Sequence, residues 1–260
     1  MPAGTTGGPA AWDHRYLDDV HAFARLSRPA QWAVAVGAAL LGLAVIGPPL
    51  ALPVLDWRWL PISLLGMPFV APVESLLLAP LYGLAGYFRH YSPMLLATRR
   101  RSGRLDLHVG TLFDYVTRLR WTDRGPRAAR IVTADILSGL LRIAEEVERG
   151  TLSPGAELVA TSYFFSDRSV ARLGFALRPA PGAVVANLAV ASLSIALRLS
   201  FTRGRFAYPD LRRVRQAVTS AGELAQHAGE IRRLLERLRP AVAARHEHPR
   251  RSGAMTAGVH

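Results

Sequence analysis

The chain contains no cysteine and no lysine. The first absence excludes disulfides, zinc–thiolate sites and thiol nucleophiles. The second excludes Schiff-base chemistry and the lysine of a phosphate-binding P-loop. All 32 basic residues are Arg, so the positive charge persists at any ordinary pH. Charge itself is missing from two long stretches. None lies between Ala30 and Leu55, and only Arg58 and Glu74 lie between Trp57 and Tyr87. Beyond residue 98 the balance reverses: 27 of the 32 Arg stand there against 14 of the 19 acidic residues, which accounts for the whole net charge of +13.

A membrane-spanning helix needs about 20 apolar residues. Gln31 to Ile46 is apolar and helix-compatible, and Gly47-Pro48-Pro49 is expected to break it, with Leu50 to Leu55 continuing as an extended or re-entrant stretch. Asp56-Trp57-Arg58-Trp59 follows, with two Trp suited to a bilayer interface. A second apolar run covers Leu60 to Phe88, where Pro68 and Pro72 predict a kink. The pair reads as a hairpin rather than a cleaved signal peptide, because the first run is long and a second follows at once. Arg25 and Arg28 precede it and Arg89, Arg99, Arg100, Arg101 and Arg104 follow it, so the positive-inside rule puts both ends in the cytoplasm of a bacterial-type inner membrane. Glu74 is the one acid inside the second run, and an intramembrane carboxylate reads as functional by default.

The chain divides into a disordered start and interfacial amphipathic helix (1–29), the hairpin (30–98), a cytosolic α/β domain (99–244) and a disordered tail (245–260). Trp12, Tyr16, Val20 and Phe23 form the apolar stripe of the first helix, Ala11 to Leu26. In the domain, Arg104 to Val109 alternates as a strand and Thr111 to Arg120 reads as a short helix. Pro126 opens a helix that closes before Gly150. Glu157 to Phe165 reads as a strand, Ser166 caps a short helix, and Phe175 to Arg178 is a third strand. The order predicts a small, mainly parallel α/β sheet. Pro179 to Leu197 is uncharged but flanked by Arg on both sides, which argues for a buried helix over 183–202 rather than a third span. Two C-terminal helices are expected near Leu211–Ser220 and Ala221–Arg239, the second ended by Pro240.

Ligands of parallel sheets bind at the carboxyl ends of strands. That rule selects His108, Thr111 and Asp114 after the first strand, and Ser162, Ser166, Asp167 and Arg168 after the second. His108, oriented by Asp114, is a candidate general base for a Ser162 or Thr111 nucleophile. A Gly-x-Ser-x-Gly turn is missing. Asp106, His108 and Asp114 are poorly arranged for a metal, because a helix start displaces Asp114. Thr111, Ser166, Asp167 and Arg168 are candidates for holding an anion. The segment Ser169-Val170-Ala171-Arg172-Leu173-Gly174-Phe175 resembles the helix-to-strand passage late in the GNAT acetyltransferases. The pyrophosphate loop of that family is missing, so no activity is carried over.

No cofactor is implied, and no nucleic-acid motif accompanies the charge. The expected partners are membrane lipid, to which each basic residue near the surface adds about 1 kcal/mol of attraction, and an anionic small molecule. A membrane-anchored module acting on an anionic, lipid-linked compound is the first functional expectation. The alternative is a scaffold docking a protein partner, or a second copy of itself, through its Arg surface and exposed C-terminal helices.

Overall fold

In the computed structural model the chain is described at residue 23 and over residues 25–100, 102–162 and 167–243, with residues 162 and 239–243 described by their backbone alone. The expected helix 11–26, Ser166 and the tail beyond 245 lie outside this description, apart from residues 23, 25 and 26.

Two helical segments of 28 residues each are long and apolar enough to cross a membrane, Arg28–Leu55 and Trp57–Leu84. At 1.5 Å per residue each is about 42 Å long, the thickness of a bilayer with its headgroups. The first is a single helix, α1 (Arg28–Leu55), which runs through Pro48, Pro49 and Pro53. The break expected at Gly47 does not occur. A 3₁₀ turn at Trp57–Trp59 leads to α2 (Leu60–Val73). The irregularity expected near Pro68 and Pro72 falls just after them, as a π-turn at Glu74–Leu78 with the amide of Ala79 donating to the carbonyl of Glu74. Proline removes amide donors from the preceding turns, and the widened turn follows. Helix α3 (Ala79–Leu84) completes the segment.

The hairpin seam is built of small residues. α1 buries Gln31, Ala35, Ala39, Gly42 and Ile46. A Cβ on Gly42 would lie 2.6 Å from Leu78 Cδ1 and 3.2 Å from Leu77 Cβ, so only glycine permits this approach without displacement. Leu40, Leu41, Leu43, Leu64 and Leu65 face outward and are exposed.

The domain is built on one six-stranded mixed sheet with order β1-β2-β3-β4-β6-β5. Its strands are β1 (Arg89–Ser92), β2 (Leu95–Arg99), β3 (Leu105–Val109), β4 (Glu157–Ser162), β5 (Ala176–Pro179) and β6 (Arg215–Ser220). Only β3 and β4 pair in parallel; every other pairing is antiparallel. The mainly parallel sheet expected from three strands is therefore corrected to a mixed one. Two strands come from residues 89–99, directly after the hairpin. A third, β6, replaces the helix expected at Leu211–Ser220. It buries Ala217, Val218 and Thr219 in succession, so both faces of the strand are covered at its centre.

Helix α5 (Pro126–Glu148) crosses from β3 to β4 and buries Ile131, Leu137, Leu140, Leu141 and Ile143. α9 (Ala221–Gln226) and α10 (Ala228–Ala243) follow β6, and α10 continues through Pro240 rather than stopping there. Leu224 and Ile231 join the core with Leu105, Leu107 and Leu158, and Leu234, Leu235 and Leu238 pack against it. The C-terminal apolar stripe is thus covered by the domain's own core. The helix expected at 183–202 is two, α7 (Gly182–Val190) and α8 (Ser192–Arg203), bent by 74°. α8 packs against both α5 and α2. Its C-terminal Gly204 (φ 69°) meets Gly125 (φ 61°), where an added Cβ would come within 3.1 Å of the Gly125 Cα. No residue of α7 is buried.

Candidate functional site

β3 places Asp106 and His108 on the sheet face opposite Leu105 and Leu107, because strand side chains alternate. Asp106 accepts from Arg100 Nε at 2.6 Å and Arg104 Nε at 2.6 Å. Burial works to raise its carboxyl, but those guanidinium hydrogen bonds outweigh it and hold it below the ordinary 3.8. His108 Nε2 lies 3.2 Å from Thr98 Oγ1. One edge of the imidazole remains open, yet the protein around it withdraws enough water to depress it below its ordinary 6.5. The fields of Arg100 and Arg198 add to this, and Asp106 opposes.

Thr111 and Asp114 do meet. Helix α4 (Leu112–Arg118) opens with a reciprocal capping box, in which Asp114 Oδ2 accepts from Thr111 N at 2.6 Å and Thr111 Oγ1 accepts from the Asp114 amide. The other oxygen, Oδ1, is 3.3 Å from His90 Nε2. Asp114 is thus bonded to Thr111 and His90, while the hydrogen bond of His108 goes to Thr98. The amide of Leu112 is held by Ser75 Oγ at 2.9 Å. This ties the π-turn of the second span to the start of α4, and the amides of Thr111, Leu112 and Asp114 are all engaged within the protein.

After β4 the predicted residues scatter. The backbone of Ser162 pairs with Arg215 at the strand end. Asp167 opens α6 (Asp167–Ala171), is exposed, and accepts from Arg215 Nη1 at 3.0 Å. Arg168 is exposed beside it. Glu74 lies in the π-turn and accepts from the Tyr82 hydroxyl at 3.3 Å. Among the described residues, no three His, Asp or Glu side chains converge as a metal site.

Two cavities accompany these residues. The larger, about 480 Å³, lies where the hairpin meets the sheet, and Arg28, Arg89, Arg99, Tyr87, Tyr91 and Glu146 supply its polar wall. Arg89 is paired with Glu146 and stands 4.9 Å over the Tyr91 ring. Tyr91 donates to Glu146 at 3.1 Å. Burial, reinforced by the Glu146 charge, pushes the Tyr91 phenol up to about 12. It is therefore a neutral donor at any physiological pH. Sequence reasoning did not select His90, Tyr91 or Glu146; the only local signal was the aromatic–basic run Tyr87-Phe88-Arg89-His90-Tyr91 directly after the second span.

The second cavity, about 220 Å³, lies at the carboxyl ends of β3 and β4, between Leu107, Val109 and Ala160 of the sheet and Ile136, Leu137 and Leu140 of α5. Val170, Leu173 and Phe175 close it, and His108, Thr133, Thr161 and Ser169 are its polar members. This is the crevice that the strand-end rule selects; among the described residues His108 borders it, with its imidazole turned to the opposite sheet face toward Thr98.

No protein-family model matches the chain, and neither a curated protein nor a solved structure matches it.

Proposed function

We propose that the protein is an integral membrane protein whose domain binds an anionic, lipid-linked molecule at the cytosolic face of a bacterial-type inner membrane. The observation that carries this reading is the junction cavity. Its Arg28 begins the first span, and Leu84, which also lines it, ends the second. Segments of about 42 Å put those two residues at the level of the near-side headgroups. Three guanidinium groups and one carboxylate there leave a net positive wall, and Arg forks suit phosphate or carboxylate oxygens. Tyr87 and Tyr91 add the amphipathic rings common at interfaces.

The test uses full-length protein in nanodiscs of mixed phosphatidylglycerol and phosphatidylcholine, released into native mass spectrometry. The expected result is preferential retention of phosphatidylglycerol, abolished in Arg28→Gln/Arg89→Gln/Arg99→Gln. Equal retention of both lipids by the native protein would sink the reading. Orientation is testable on the same protein. Because the chain has no cysteine, single cysteines introduced at Gly103 and Trp57 report sidedness directly; labelling of the first from the cytoplasm and the second from outside is expected.

A further inference from the structure

Two contacts fix how the sheet stands relative to the hairpin. The amino end of β3 lies at the surface end of the spans, because Leu105 shares the junction cavity with Leu84 and Phe88. Beyond its carboxyl end, Leu112 is bonded to Ser75, which lies nine residues, or about 13 Å, deeper along the second span than Leu84. β3 therefore runs toward the bilayer. β4 is parallel to it, and β5 is too, since β6 is antiparallel to both β4 and β5. All three carboxyl ends point at the hydrocarbon.

The surface composition agrees independently. Among the described residues, the exposed large apolar side chains of the domain beyond the hairpin root are Val116, Trp121, Val190, Leu197, Phe206 and Tyr208. They belong to α4 and the turn after it, α7, α8 and the loop beyond α8. These elements follow the carboxyl ends of β3 and β5 or pack against the second span. α7 in particular is uncharged and unburied and leaves β5 on this side.

We infer that the apolar cavity at these strand ends takes a single hydrocarbon chain, acyl or prenyl, which enters from the near leaflet. Among the described residues its walls are Leu, Ile, Val, Phe and Ala, joined by Thr133 and Ser169, while the side chains of His108 and Thr161 turn to the other sheet face. The cleft is partly open and, at about 220 Å³, has room for roughly seven water-sized groups at about 30 Å³ each. A polar solute would find few partners in it, and a methylene chain leaves none unpaired. Arg198 stands near this crevice, its Nη1 donating to the carbonyl of Gly110 at 3.0 Å and its charge felt by His108. An anionic or neutral end group is tolerated beside it, and a cationic one is not. This inference deepens the lipid reading above by naming the apolar part of the ligand, and it rests on the hairpin crossing a bilayer.

The test is photolabelling of full-length protein in phosphatidylcholine vesicles with two probes, a phospholipid carrying a diazirine near its acyl terminus and a free fatty acid carrying the same group. Labelled peptides are mapped by mass spectrometry. Label on Leu137, Leu140 or Val170 is expected, reduced at least tenfold in Ala160→Phe while hairpin label is unchanged. Ala217→Leu, a milder filling of the same wall, is expected to reduce it also and guards against a folding defect in the first variant. Either probe reaching the cavity supports the inference; phospholipid label assigns the chain to a bilayer lipid, and fatty-acid label alone assigns it to a free amphiphile. Label confined to the hairpin and α7, or cavity label unaffected by both substitutions, overturns it. The Arg28/Arg89/Arg99 variant is expected to leave cavity labelling intact, so loss of headgroup preference and loss of chain binding are read separately.

Discussion

The hairpin and the domain are packed by opposite rules. α1 buries Ala35, Ala39 and Gly42 and exposes Leu40, Leu41 and Leu43. α5 buries Ile131, Leu137, Leu140 and Ile143 and turns Arg127 and Arg130 outward. In water, burying large apolar side chains is the main driving force. Lipid tails offer no such gain, so helices there associate through close backbone approach, which small residues allow. The difference is the one expected if one chain is folded for two solvents, which is what the proposed function requires.

The contrast is broken most strongly in the domain. Asp135 accepts a two-pronged bond from Arg118, Nε at 2.7 Å and Nη2 at 3.0 Å, with both residues buried. Asp135→Ala leaves the guanidinium buried without that carboxylate and is expected to cost about 3–5 kcal/mol in denaturant unfolding. A loss under about 1 kcal/mol would mean that water reaches the pair. Next, Leu41→Arg at the outer face of α1 is expected to oppose insertion by about 3 kcal/mol, read as the fraction of chain resisting alkaline extraction. Gln226→Arg, equally outward but on α9, is expected to change stability by under about 0.5 kcal/mol. Equal behaviour of the two would deny the hairpin a lipid environment.

Glycines give a finer comparison. An added Cβ at Gly139 would lie 2.8 Å from Leu95 Cβ and 3.0 Å from Ser92 Oγ, whereas at Gly37 nothing lies within 4 Å. Gly139→Ala is expected to lower stability by about 1–3 kcal/mol through overpacking, and Gly37→Ala to leave thermal unfolding unchanged. The smallest effect is electrostatic. His108 is depressed below 6.5 in the folded state, so on acidification the unfolded chain takes up this proton first. Its contribution to stability is complete above 6.5 and is lost as pH falls through 6.5 toward the folded value. Denaturant midpoints at about pH 7.5 and about pH 5.5 should show a loss that His108→Gln removes.

Much of this was legible in the residues. Charge-free runs and a Trp pair marked the two spans, and Pro126 with a 3.6-residue apolar period marked α5. Alternation marked β3, and the β-branched and aromatic content of the run from Glu157 to Phe165 marked the whole of β4. Arg215–Ser220 reads as helix in the sequence because Arg212, Arg213 and Arg215 look like a solvated helix face, and a strand covered on both faces over Ala217, Val218 and Thr219 shows no alternation. Arg89–Arg99 was grouped with the hairpin because no charge follows Arg89 until Arg99 and Tyr91, Met94, Leu95 and Leu96 lie between them. At the site, sequence chose the crevice but not the contacts. Asp114 is close in sequence to both Thr111 and His108, and only the helix start decides that it faces Thr111. Its other partner, His90, comes from a strand two places away in the sheet. Glu146, on a helix turn otherwise read as solvated, is recruited by Arg89 and Tyr91 from more than fifty residues upstream.

The position of β6 bears on how the molecule is assembled. It is the last strand in the chain, yet it lies between β4 and β5 and supplies the sheet's only bonds to β5. During synthesis the spans emerge first and are free to insert, while β5 has no ladder to join until β6 has been made. Domains whose pairings are so far apart in sequence close late and slowly. Until then the edge of β4 is unpaired and open to the wrong neighbour. On the proposed reading of the hairpin, insertion before that moment would keep each unfinished sheet apart from the next, so order of synthesis and the membrane together would act as this fold's chaperone.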